Sequence, residues 1–413
     1  MCYSIFMDKF EKLALVAGAS EFEAEGEPSP SFSLTSLDAN ARCQLSLTNQ
    51  QSTNAINNRY ILVKGHHIPI HMAVTPRGKR IPLLKAMLTT ACEMNCQYCA
   101  FTSNRNYRRV TFKPQELAEV FYAIHQKGWV EGIFLSTGIF GGGMNTQDRL
   151  LDTAEILRHR MGYRGYIHLK IMPGSERDQL FQAMRLADRV SVNLEAPNET
   201  RLANLAPRKQ FQEQLLQPLQ WMEEIRRKDP PHLAWDGRWP SSSTQFVVGP
   251  AGETDLELVS ITASLIKTFG LKRPYFEAFR PVPDTPLEHH SPEDPLRQHR
   301  LYQASFLLRD YGFDLEDFSF SQEGNLPREI DPKKAYAEIS LRHSPIDLNT
   351  AEPEDLLRIP GIGPVGVKAI AQTRKMVKLQ NISQLKKMGI LVERAAPYIL
   401  LDGKRPEQQL ELF

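Results

Sequence analysis

Between residues 59 and 320 the chain alternates two patterns. Short apolar runs fall at 82–89, 132–137, 166–171, 189–194, 244–249 and 273–279. Stretches with apolar positions at helical spacing fall at 114–127, 147–161, 176–187, 212–228, 254–269 and 295–311. The runs are continuous rather than alternately apolar and polar, as in "GIFLST" (132–137). That pattern belongs to parallel strands covered on both faces. Six strand–helix units in succession predict an α/β fold with a parallel sheet or a partial (β/α)6 barrel. In such folds the functional side chains stand at the C-terminal ends of the strands.

Outside this region the periodicity changes. Residues 1–58 predict one short helix over 7–19, then a Ser-, Thr- and Asn-rich stretch expected to be flexible. Residues 321–343 read as a connector, 344–405 as a small module of short helices, and 406–413 as an exposed tail.

Hydrophobic residues make up 41% of the chain and charged residues 24%, the balance of a globular protein. No apolar run approaches the roughly 18 residues that a membrane span needs. The N-terminus is too acidic and too interrupted for a signal peptide. A cytoplasmic location with no membrane partner is therefore expected. The formal net charge is only +2, but it is unevenly placed. Residues 344–405 hold ten Lys and Arg against six Asp and Glu, while the rest of the chain holds 40 against 42. Positive charge is thus concentrated in the last module, as a phosphate binder requires.

Three of the five cysteines, Cys92, Cys96 and Cys99, follow the first predicted strand in a C-x3-C-x2-C spacing. In a reducing compartment such a triplet reads as metal-binding rather than disulfide-forming. Three thiolates hold three irons of a four-iron cluster and leave the fourth open to a ligand, whereas a structural zinc site closes its shell with four ligands. The alternative is a zinc site completed by His66, His67 or His71.

The triplet, with Tyr98 before its last cysteine and a βα series around it, resembles the radical S-adenosylmethionine (SAM) superfamily over roughly 80–320. The resemblance implies a [4Fe–4S] cluster on Cys92, Cys96 and Cys99 and SAM chelated by the open iron. One-electron cleavage of SAM would then give methionine and a 5′-deoxyadenosyl radical, with an electron donor such as flavodoxin or ferredoxin. Carried onto the strand ends, it implies SAM contacts from Tyr98, Ser136, Thr137, Gly138, Asn193, Glu195, Gly249 and Phe279. The second strand departs from the superfamily's frequent Gly-Gly-Glu, having no Glu in "LSTG" (135–138). Read as residues alone, Glu195 is equally a surface acid at a strand end, and Gly249 with Gly252 a tight turn. Arg105, Arg108 and Arg109, beside Tyr107, read either as phosphate ligands near the cluster or as a solvated basic loop. Cys2 and Cys43 cannot supply a second set of ligands, so one cluster is implied. No residue is singled out as the catalytic group that quenches a substrate radical.

In the last module, Thr350 is placed to cap a helix whose first turn carries Glu352, Glu354 and Asp355. "PGIG" (360–363) breaks that helix, and Pro364 suits the first position of the next. The free N–H groups of that helix would face an anion. This resembles the helix-hairpin-helix motif, which implies contacts to a DNA backbone from Gly361, Ile362, Gly363, Val365 and Lys368. Residues 381–400 resemble a second, degenerate copy. A helical protein–protein module is the competing reading. The two domains in this order resemble the DNA modification/repair radical SAM proteins. At the end, Gln409, Leu410, Leu412 and Phe413 of "QLELF" resemble the peptide that binds the bacterial sliding clamp. Together these resemblances imply radical SAM chemistry on DNA. The alternatives are the same chemistry on RNA or a nucleotide, and a non-catalytic iron–sulfur DNA-binding protein tethered to the clamp.

Overall fold

The continuous apolar runs form parallel strands. The computed structural model describes residues 7–19, 60–75 and 78–406. Most of the 1–58 segment, Cys2, Cys43 and the tail residues Gln409, Leu410, Leu412 and Phe413 lie outside them. Strands β1 (Tyr60–Val63) and β2 (His66–Pro69) make an antiparallel hairpin. The main sheet has seven strands in the order β3 (His71–Val74), β4 (Arg80–Met87), β5 (Gly132–Ser136), β6 (Tyr166–Lys170), β7 (Arg189–Ser191), β8 (Ser241–Val248) and β9 (Arg273–Ala278). From β4 to β8 neighbours are parallel and follow chain order, so the sheet is a curled half-barrel. Strand β3 is an addition to the six expected. It pairs antiparallel with β4, and its four residues "HMAV" carry too little apolar pattern to announce a strand.

The helices are α1 (Lys9–Ala19), α2 (Pro114–Gln126), α3 (Gly143–Glu155), α4 (Arg177–Leu186), α5 (Glu199–Leu205), α6 (Gln217–Lys228), α7 (Asp255–Phe269) and α8 (Pro295–Asp310). Five-residue-ring turns extend α3 over Ile156–Arg160 and open α6 over Phe211–Leu216. No helix among the described residues is long and apolar enough to cross a membrane.

The chain divides into two compact units. One runs to Asn193 and takes in Ala206–Gln245 and Val282–Glu288; the other comprises Leu194–Leu205, Phe246–Pro281 and the chain from His289 on. In the first, α1 is fastened by Lys12, whose Nζ lies 2.9 Å from Glu116 Oε1. In the second, the chain after α8 continues through α9 (Pro332–Ser340), β10 (Ile346–Asp347), α10 (Pro353–Arg358), α11 (Pro364–Thr373), α12 (Ile382–Lys387), α13 (Val392–Ala395) and β11 (Ile399–Leu400). Strands β10 and β11 pair in parallel and close the helical module on itself.

Two expectations about this module change. The 321–343 connector contains α9, capped by Asp331, whose Oδ1 accepts from the Lys334 amide at 3.0 Å. Ala337 and Leu341 share one core with Leu356, Ile362, Ile370 and Leu385, so the module starts before residue 344. Thr350 does not cap α10: the N-cap is Glu352, with no side-chain cap, and Pro353 opens the helix. A proline there replaces an N–H that would have needed a cap.

Candidate cluster and nucleic-acid sites

Beyond β4 and β5 the two chains stay side by side. The Leu88 amide donates to Ser136 O (2.8 Å), the Gly138 amide to Thr89 O (2.7 Å) and the Glu93 amide to Ile139 O (2.8 Å). This ladder carries Cys92 to the C-terminal end of the sheet. Gly138 is required there: a Cβ would stand 2.3 Å from Ala91 O and 3.1 Å from Cys92 Cβ. We expect Gly138→Ala to push the cysteine loop off β5 and to lower the iron retained after anaerobic reconstitution, read as iron per chain against an unchanged far-UV circular dichroism spectrum.

Cys96 is buried and Cys92 and Cys99 are half-buried, none of them in a disulfide. The Phe101 amide points at Cys99 Sγ at 3.4 Å. Burial pushes the Cys99 thiol up, and the neighbouring Cys96 and Cys92 push it further, against Lys209. Three sulfurs that feel one another, with one amide already aimed at a sulfur, fit a sulfur-ligated cluster whose irons would counter that charge. Among the described residues no three or more His, Cys, Asp or Glu converge on a single ion; a cluster asks instead for one thiolate on each of three irons. His71 cannot complete a zinc site. It pairs with Leu83 on β4, four residues before Met87, which is about 13 Å short of the strand's end at 3.3 Å per residue.

Of the arginines next to the loop, Arg105 and Arg109 are engaged by backbone oxygens, while Arg108 is exposed. Arg105 Nε donates to Pro283 O at 2.9 Å, Arg108 pairs with Glu11 at 3.6 Å, and Arg109 is ringed by loop oxygens. The missing acid of "LSTG" has a neighbour in Glu93. Its carboxylate accepts from the amides of Gly141 (3.2 Å) and Gly142 (3.0 Å), tying the loop after β5 to the cysteine loop. Arg208 donates to Glu93 O at 2.7 Å. A cleft of about 500 Å³ lies there, lined in part by Glu93, Met94, Gly143, Gly174 and Arg208. Glu93 and Arg208 were not singled out from sequence; the signal was the Gly141–Gly143 run, whose bare amides need an acceptor.

Of the expected SAM positions, Ser136, Thr137 and Gly138 close β5, Tyr98 lies in the loop, and Asn193 follows β7. Asn193 Nδ2 donates to Gln245 at 3.1 Å, while its buried Oδ1 has no partner. In the second unit, Glu195 is 3% exposed, which excludes the surface-acid reading. Its φ of 64° is a strained value for a non-glycine. Gly249 (φ 112°) and Gly252 (φ 67°) do make a tight turn. Glu253 Oε1 takes the Gly249 amide at 2.6 Å, and a Cβ on Gly249 would stand 2.7 Å from Glu293 Oε2. Arg297 braces this turn through Asp255, Glu293 and Glu253 O. Burial pushes the Glu253 carboxyl up, opposed by the Gly249 amide and Arg297. The Phe279 amide donates to Val248 O (3.0 Å) and its carbonyl accepts from the Glu293 amide (2.9 Å).

The module's hairpin runs from Ile359 to Gly363. Gly361 has φ 82°, and a Cβ there would stand 2.4 Å from Leu391 O. The Leu391 amide donates back to Gly361 O at 3.3 Å. Leu391 belongs to the second copy, in which Gly389 (φ 74°) turns the chain from α12 to α13. The two hairpins therefore meet backbone to backbone. Ile362 is buried, Gly363 caps α11 in extended conformation, and Val365 and Lys368 are exposed. Lys333 of α9 reaches under the hairpin, its Nζ 2.6 Å from Ile362 O and 4.5 Å from the Tyr311 ring centroid. Burial, then Arg394, push its pKa down to about 7, against Asp331. Between pH 7 and the ordinary lysine value the unfolded chain binds the extra proton, so module stability rises with pH across that window. Thermal unfolding followed over this range is expected to show a smaller rise with pH in Lys333→Met than in wild type.

Residues 87–262 match the family described as the radical SAM superfamily, and residues 342–395 match the helix-hairpin-helix motif. Among curated proteins none matches the chain. Among solved structures the chain is similar to the FeFe-hydrogenase maturase HydG from Carboxydothermus hydrogenoformans, at 16% identity and TM-score 0.43, covering 55% of this chain and 51% of that one. It is also similar to a radical SAM methyltransferase from Sphaerobacter thermophilus, at 16% identity and TM-score 0.40, covering 60% and 73%. A third is the radical SAM methyltransferase TsrM from Kitasatospora setae, solved with cobalamin and a [4Fe–4S] cluster, at 11% identity and TM-score 0.41, covering 70% and 60%. The chain spans about half the length of the maturase. By these matches the chain carries a radical SAM domain over residues 87–262, a domain type that uses a [4Fe–4S] cluster and SAM, and a helix-hairpin-helix motif over residues 342–395.

Proposed function

We propose that this enzyme acts on DNA, held at the phosphate backbone by the helix-hairpin-helix module. The observation that carries this reading is the pair of hairpins locked at Gly361 and Leu391 in a module whose residues 344–405 hold ten Lys and Arg against six Asp and Glu. The amides at the start of α11, the exposed Lys368 and the hairpin of Gly361, Ile362, Gly363 and Val365 would lie against phosphates. Cys92, Cys96 and Cys99 would hold the cluster, which with SAM supplies one-electron cleavage chemistry when bound. Asn193, through its unpartnered Oδ1, would accept from a SAM hydroxyl, and the Ser136–Gly138 backbone would line the same ligand. The reading also places the protein in the cytosol, where its thiols stay reduced, and docks the 409–413 peptide on a sliding clamp.

The test is anaerobic reconstitution with iron and sulfide, then SAM and dithionite, with duplex DNA, duplex RNA or no nucleic acid. Production of 5′-deoxyadenosine that rises with DNA, and duplex affinity that falls steeply with salt, are expected. Preference for RNA in both assays would replace DNA as the substrate class. Equal clamp capture by the full chain and by a chain lacking 409–413 would remove the clamp.

A further inference from the structure

The ring of oxygens around Arg109 plays no part in the domain assignment or in the proposed reaction. Arg109 Nη1 lies 3.5 Å from Thr90 O, 3.5 Å from Cys92 O and 3.0 Å from Tyr107 Oη. Its Nη2 lies 3.2 Å from Thr102 O, 3.4 Å from Ser103 O and 3.3 Å from Arg105 O. Thr90 and Cys92 lead into the cysteine triplet; Thr102, Ser103 and Arg105 lead out of it. One half-buried guanidinium thus joins the two ends of the loop that carries all three thiols. The Tyr107 ring covers it at 4.4 Å, and the Tyr107 hydroxyl donates to Thr90 O. Inward-facing carbonyls need donors, and here a single planar fork serves five of them. A lysine has three donors on one point and cannot span the same set. Arg108 next door makes the contrast: its side chain is 56% exposed and pairs with Glu11 at 3.6 Å.

We propose that Arg109 is the positioning residue of the cluster loop: its guanidinium, backed by Tyr107, shapes the loop before iron arrives, so that ordering the thiols is not left to the metal. A loop without this tie must lose its conformational freedom when the cluster binds, which weakens uptake. This inference rests on Cys92, Cys96 and Cys99 being the cluster ligands.

The test uses the full chain as wild type, Arg109→Met, Arg109→Lys, Arg108→Met and Cys96→Ala, each reconstituted anaerobically. Iron per chain, the paramagnetic resonance spectrum of the reduced cluster, and its change on adding SAM are recorded. Arg109→Met is expected to retain about one-tenth of the wild-type iron or less, in line with losses at groups that orient metal ligands. Arg109→Lys should hold intermediate iron with an altered SAM-induced spectral change, and Arg108→Met should match wild type. If Arg109→Met fails to fold, by circular dichroism, Arg109→Lys decides: wild-type iron and a wild-type SAM response overturn the proposal. A cluster that survives in Cys96→Ala would instead overturn the ligand assignment on which it rests.

Discussion

Cys96→Ala is expected to abolish cluster assembly and SAM cleavage while leaving duplex binding in place. Cys96 is the most buried of the three thiols, 7% exposed, so alanine fills its position without bringing in a polar group, at about 1 kcal/mol of stability. What is lost is the ligand. Two thiolates cannot hold a cluster that needs three, and no fourth cysteine among the described residues can stand in, since Cys92, Cys96 and Cys99 are the ones present. The helical module has its own core, so it should bind duplex with the wild-type salt dependence. The measurements are iron per chain, 5′-deoxyadenosine formed, and affinity over a salt series. Persistence of a reducible, SAM-responsive cluster in this variant would mean that the loop is not the site.

The parts of this protein that were legible in the sequence are those whose cause is local. The strands of the half-barrel showed because burial on both faces demands continuous apolar runs. The hairpin at Gly361 showed because a left-handed turn demands glycine. The place of the cysteine loop at the C-terminal end of β4 showed because the triplet directly follows an apolar run. What could not be read was built from backbone acceptors. Arg109 reads from sequence either as a phosphate ligand or as part of a solvated basic loop, yet its partners are five carbonyls and a tyrosine hydroxyl, and carbonyls leave no mark in a sequence. Phe279 was placed correctly at a strand end, but tertiary pairing engages both its backbone groups. Helix α9 reads as a connector in the sequence because its nine residues, "PKKAYAEIS", span only about two and a half turns. Glu93 was hidden for a similar reason: its role depends on glycine amides nearly fifty residues away.

Gly361→Val should separate the two domains in the opposite sense, destroying duplex binding and sparing the cluster. Two penalties combine at this position. The φ of 82° lies where L-residues are disfavoured, by about 1–2 kcal/mol for a residue with a Cβ and by more for a β-branched one. The added Cβ would also stand 2.4 Å from Leu391 O and 3.3 Å from its carbonyl carbon. Both are backbone atoms of the second hairpin, which can yield only by moving α13 and breaking the Leu391–Gly361 hydrogen bond. Overlaps of this kind cost about 1–3 kcal/mol or more, so the sum rivals the whole stability of so small a core. The expected result is loss of the module's unfolding transition, a fall in duplex affinity to the level of a chain truncated before α9, and wild-type iron content. A variant that keeps wild-type affinity while its module is folded would show that the hairpin does not grip the duplex, and would leave the DNA reading without its support.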